Sequence, residues 1–275
     1  MSLGLTYYSA ERMLNKLLGI DDYTPAATNY FGAFTANPAD AEATSYTECT
    51  DGGYARVSKT NNDTTWTDWA GGAKVCGVEV SFAAATEDWT ELTGIGIWDA
   101  STAGNLLGWG ALASPITLLD TEVLTIPADA GQFTFLGDAS GYGGLTDLAA
   151  AALMDYEFGI SAYTEPATCY FGFLTTNADP DGTGSVELGS AGYARVSKTN
   201  NTTTWPGWAA GITQNGVAIA VGPATEDWTE VLGLGIWDAA SAGNLWIWGK
   251  LTSPKSVLDG QTETVPVGAI TVRIQ

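Results

Sequence analysis

The chain has 275 residues, 34 of them glycine and 11 tryptophan, and only 15% are charged. That is the composition of a folded, β-rich protein long enough for two ordinary domains, and it excludes a disordered chain. Ten Lys and Arg against 31 Asp and Glu leave a net charge of −21, and there is no His. A phosphate-backbone partner is thereby excluded, and the commonest general base and metal ligand is missing.

Residues 5–18 (LTYYSAERMLNKLL) predict an amphipathic helix with Leu5, Tyr8, Met13, Leu14, Leu17 and Leu18 mostly on one side, stopped by Gly19. TPAATNYFGAFTAN, from Thr24, predicts a first strand, and residues 37–51 a polar, acidic surface loop. GYARVSKTNN, from Gly53, predicts a strand entering an Asn-rich turn, followed by Trp66, Trp69 and a further strand at 78–82. Next comes a hairpin. Its outgoing strand, 94–99, has Ile95 and Ile97 on one face and Gly96 and Trp98 on the other; its turn ends in Gly104-Asn105, and it returns at 106–112. Both faces are largely apolar, so this hairpin is expected at the centre of a larger sheet. A last strand pair is expected near 116–126.

The same order then returns. A second helix, 145–158 (LTDLAAAALMDYEF), is stopped by Gly159 and followed by TEPATCYFGFLTTN, a loop at 177–190, GYARVSKTNN, Trp205, Trp208 and the hairpin GLGIWDAASAGNLWIWG. From Gly53 onward about half of the aligned positions are identical over some eighty residues, which is tandem duplication. The expected fold is mainly β: two tandem antiparallel β-sandwich-like domains, each with a short N-terminal helix packed on its own sheet. The domains are 1–135 and 145–275, joined by a Gly-rich linker at 136–144, each closing its own core.

Cys49, Cys76 and Cys169 are odd in number and share no position between copies: Cys76 aligns with Asn215, and Cys169 with Asn29. They read as small buried hydrophobes in a chain assembled in the cytoplasm. No stretch has the length and apolarity of a membrane span, neither helix has a basic polar face, and no signal peptide is indicated.

The duplicated acids are Glu87, Asp88, Glu91 and Asp99, with Glu226, Asp227, Glu230 and Asp238. A glycosidase pair needs two carboxylates at one scissile bond, one of them desolvated. Here Glu87 and Asp88 read as a solvated turn, and Asp99 as a cap on its own hairpin loop. Calcium at Asp99 and loop carbonyls is the rival reading, without EF-hand spacing. The expectation is therefore no enzyme, no cofactor and no metal. Contact roles fall instead to Trp66, Trp69, Trp205 and Trp208, whose alternatives are sugar stacking and core packing. Arg56 and Arg195 join them: each beside a strand tyrosine, each expected to pair with a carboxylate, inside its own domain or across a subunit boundary.

The series helix, TPxATxYxGxxT, GYARV, TNNxTxW, GIWDAxxAGNLxxWGxLxSP resembles a family of tailed-bacteriophage virion proteins, labelled tail-fibre-like or serving as capsid decoration and cement proteins. The resemblance spans each repeat, 5 to about 135 and 145 to about 274. It implies a structural virion protein without catalysis. The leading expectation is a capsid cement protein on the outer shell, a homotrimer whose partner is the major capsid protein, with no nucleic-acid or membrane partner. The alternative is a tail or fibre component that engages host glycans.

Overall fold

The computed structural model describes residues 1–40, 43–70, 72–134, 143–179, 181–207 and 212–272. Repeat 1 runs β1 (Ser2–Leu5), α1 (Tyr7–Leu17), β2 (Thr28–Ala36), β3 (Thr47–Glu48), β4 (Val57–Thr60), β5 (Ala73–Val75), β6 (Val80–Ser81), β7 (Leu92–Trp98), β8 (Leu106–Ile116), β9 (Thr125–Ile126) and β10 (Gln132–Thr134). Repeat 2 runs β11 (Gly143–Leu145), α2 (Asp147–Glu157), β12 (Thr168–Thr176), β13 (Val186–Glu187), β14 (Val196–Thr199), β15 (Thr213–Gln214), β16 (Ile219–Val221), β17 (Val231–Trp237), β18 (Leu245–Lys255), β19 (Glu263–Val265) and β20 (Thr271–Val272). The protein is mainly β, in two tandem repeats of one design.

The repeated hairpin, β7–β8 and β17–β18, is central in both. In repeat 1 an eight-stranded sheet has the order β3-β2-β7-β8-β1-β10-β5, with β4 also on β2; in repeat 2 a six-stranded sheet has the order β11-β18-β17-β12-β13, with β14 on β12. Registers repeat as well: Tyr30 lies opposite Trp98, and Tyr170 opposite Trp237. As the alternation predicts, Ile95 and Ile97 enter the main core, while Trp98 packs with Phe34 and Leu106 on the other face. Trp98 can lie flat because Gly32 and Gly96 are beneath it; a Cβ on either would stand 2.8 Å and 2.6 Å from its ring. The hairpin loop is capped as expected: the Asn105 backbone N–H donates to Asp99 Oδ1 at 2.7 Å, and its side-chain amide to Oδ2 at 2.7 Å.

Each helix starts at a threonine, Thr6 or Thr146, whose hydroxyl accepts from the amide three residues on and donates to its own sheet, at Leu106 O (2.6 Å) or Leu245 O (2.8 Å). The helices thus begin two residues later than their apolar pattern does. The segments before them are strands: β1 and β11 pair with β8 and β18, and Gly143 and Gly144, expected in the linker, already belong to β11. The remainder of that linker, 136–142, lies outside the described residues. A hydrophobic residue followed by a cap leaves no periodic signal in three or four positions, which is why these strands escape a sequence reading. All three cysteines are buried free thiols. Among the described residues no helix is long and apolar enough to cross a membrane.

Candidate functional site

Arg56 is 5% exposed at its side chain and fully committed within its own repeat. Its Nε and Nη2 donate to the two oxygens of Glu48, each at 2.7 Å. Nη1 donates to the carbonyls of Ala100 and Ala103 in the hairpin loop, both at 2.7 Å, and the guanidinium lies 4.1 Å from the centre of the Trp98 ring. Tyr54 adds a bond to the same Glu48 oxygen at 2.7 Å. Repeat 2 reproduces every part with Arg195, Glu187, Ala239, Ala242, Trp237 and Tyr193. A planar, permanently charged fork is what this position needs, because it meets a carboxylate, two carbonyls and a ring face at once. Of the two pairings the sequence left open, the carboxylate partner is therefore the internal one, and the arginines pin the hairpin loop to the β3 and β13 strands.

Trp66 and Trp205 are both 0% exposed, so their expected contact role passes to internal packing. Trp66 donates through Nε1 to Asn29 Oδ1 at 2.8 Å and packs against Phe31 and Phe133. Its nearest ring is Phe158, at 4.3 Å, which caps the helix of the other repeat. Trp205 packs on Phe171, and the Cys169 thiol stands where Trp66 has the Asn29 amide as its partner. Trp69 is half-buried against the core; Trp208 lies outside the described residues.

The Trp66–Phe158 contact belongs to a larger arrangement. Each helix rests on its own sheet but buries its C-terminal end in the other repeat. Asn61 of repeat 1 donates to Glu157 O of α2 at 2.9 Å, and Asn200 of repeat 2 donates to Leu17 O of α1 at 2.9 Å. Gly19 and Gly159 follow the helices at φ 61° and 66°, and a Cβ on them would stand 2.5 Å from Asn200 O and 2.2 Å from Asn61 O. Polar groups are buried with them. Lys74, 0% exposed, pairs with Asp155 of α2 and donates to Thr67 O at 2.7 Å; burial lowers its pKa against the pull of that carboxylate. Lys16 of α1 reaches Glu165 of repeat 2 at 3.0 Å and Asp22 at 2.9 Å, and these bonds push its pKa up to about 12. Glu157 accepts from Tyr23 of repeat 1 at 3.1 Å, and burial pushes its carboxyl up to about 7. One continuous core cluster contains residues of both repeats.

This exchange is what two subunits of a symmetric dimer would show, here within one chain. The sequence model of the Podophage GP4 fiber I protein gp80 family matches residues 4–134 and, a second time, residues 144–273. The chain belongs to this family. It is a tandem duplication within a family of phage virion structural proteins, so the fibre-protein design occurs here twice. No curated protein matches the chain. In this fibre-family member, three of the four duplicated acids of repeat 1 cap backbone amides: Glu87 accepts from Gly52 at 2.5 Å, Asp88 from Asp120 at 2.9 Å and Asp99 from Asn105. Among the described residues no group of three or more His, Cys, Asp or Glu is placed to hold a metal ion.

Proposed function

We propose that this chain is a non-enzymatic building block of a tailed-phage fibre, in which one polypeptide takes the place of two single-repeat subunits. The observation that carries this reading is the reciprocal burial of the helix ends, which gives the two repeats one core and makes the chain a single block. A fibre part must withstand load without local unfolding, and a shared core removes the weakest boundary a two-domain chain would have. Its acidity keeps it soluble and away from nucleic acid. The glycan-binding version of this role has lost its main platform, because Trp66 and Trp205 are interior.

The rival is the capsid cement reading, a homotrimer on the outer shell holding the major capsid protein. The compact, pseudo-symmetric block favours it, since such units suit sites of local symmetry. Copy number separates the two. Quantitative mass spectrometry of purified particles, with antibody-labelled imaging, should find on the order of a few dozen copies at the tail for a fibre. Copies on the order of hundreds over the shell would overturn the fibre reading in favour of cement.

A further inference from the structure

The repeats have diverged at two surface features, and the differences are complementary. In repeat 1, Leu3 is 2% exposed and fills the space beside Gly110 and Gly131: a Cβ on these glycines would stand 3.0 Å and 3.6 Å from its methyl groups. Phe133 (1%) and Leu124 (5%) are buried in the same repeat. The common register, Gly4 opposite Trp109 and Gly144 opposite Trp248, shows what repeat 2 has instead. Gly143 stands for Leu3, Val272 for Phe133 and Glu263 for Leu124. The space reappears as a cavity of about 460 Å³, with Phe173, Leu234, Ile236, Ile247, Val265 and Ile270 among its walls. Such a volume is within the range of about 300–1,000 Å³ that binding pockets occupy. Its rim carries Lys250 and Lys255 where repeat 1 has Ala111 and Ile116. Lys255 pairs with Glu263 at 3.5 Å. The exposed Lys250 ammonium has no partner among the described residues.

The second divergence is in the turn after β8. Repeat 1 exposes Ile116 (37%) at the end of β8 and Leu119 (54%) and Val123 (46%) in the segment that follows, with Asp120 and Glu122 between the last two. Repeat 2 keeps only the leucine, Leu258, with Lys255 and Thr262 at the other two positions. Three large aliphatic side chains left exposed within eight residues of one solvent-facing segment are what an interaction surface presents. An aliphatic knob with acidic flanks on one repeat thus faces, in chemistry, an aliphatic cavity with a lysine rim on the other.

We infer that the 116–123 turn of one molecule docks into the repeat 2 cavity of a second copy, with Leu119 entering the cavity and Asp120 meeting Lys250. The contact joins unlike surfaces, so it propagates from copy to copy and closes into a ring or runs on as a filament. It holds wherever on the particle the protein sits.

Sedimentation velocity of the full chain over a range of concentrations tests this. The protein should associate reversibly, and Leu119→Ser or Lys250→Glu should each weaken association roughly tenfold. Combining Lys250→Glu with Asp120→Lys should restore most of it, while Leu258→Ser should leave it unchanged. All four positions are exposed, so unaltered melting curves confirm that the variants fold. A chain that stays monomeric at every concentration refutes the contact. So does Leu258→Ser acting as strongly as Leu119→Ser, or Lys250→Glu having no effect.

Discussion

Replacing Glu157 by glutamine probes the junction between the repeats through its proton. Glu157 is 2% exposed, and its carboxyl titrates at about 7 instead of 4.5. Burial is the main cause; the Tyr23 hydroxyl pulls the other way, and the charge of Asp99 adds a smaller push upward. Because the folded value lies above the unfolded one, the folded state holds the extra proton between pH 4.5 and about 7. The group's contribution to stability is complete below that window and is lost as pH rises through it. A shift from 4.5 to about 7 corresponds to about 3 kcal/mol lost by pH 8. Glu157→Gln keeps the shape and stays neutral, so its stability relative to the parent should rise by about 3 kcal/mol between pH 4 and pH 8. Urea unfolding of both proteins at the two pH values, compared at equal slopes, measures this difference and cancels the other carboxylates. An identical parent–variant difference at both pH values would refute the assignment of Glu157 as a buried carboxyl paying for its charge.

Three further outcomes follow from the same geometry. Arg56→Lys keeps a charge but loses the forked bond to Glu48 and the carbonyl contacts, so thermal or chemical unfolding should show a loss of about 2–3 kcal/mol. Gly159→Ala should cost about 1–3 kcal/mol, more than its φ alone explains, because the new Cβ meets the Asn61 carbonyl; a loss below 1 kcal/mol would mean that the junction yields easily. Residues 1–142 and 143–275, produced as separate chains with a tag on one, should co-purify when expressed together and fail to fold when expressed alone. A soluble single half with cooperative unfolding would count against the shared core.

The asymmetry between what was legible and what was not has a physical origin. The duplication, the central hairpin with Trp98 on its own face, the Asp99 cap and both helices were written locally, in period-2 and period-3.6 patterns and in turn chemistry. Placement of the contact residues was not. Trp66 and Trp205 read as core more readily than as surface rings, and Arg56 equally as an internal or an intersubunit partner, because a pattern shows that a side chain seeks cover without saying what supplies it. β1 and β11 were too short to show any period.

The amino-acid sequence by itself determined that this protein is one β-rich design used twice, and which family that design belongs to. Only the tertiary structure decided which copy covers which. In a duplicated chain the apolar end of α1 fits its own repeat and the other repeat with nearly the same local chemistry, so sequence periodicity cannot choose between them. The choice is made by the geometry that puts Asn61 and Asn200 at the opposite helix's last carbonyls and seats Phe158 on Trp66. Only the packed structure shows that the smaller Val272, standing where repeat 1 has Phe133, lines a cavity in repeat 2.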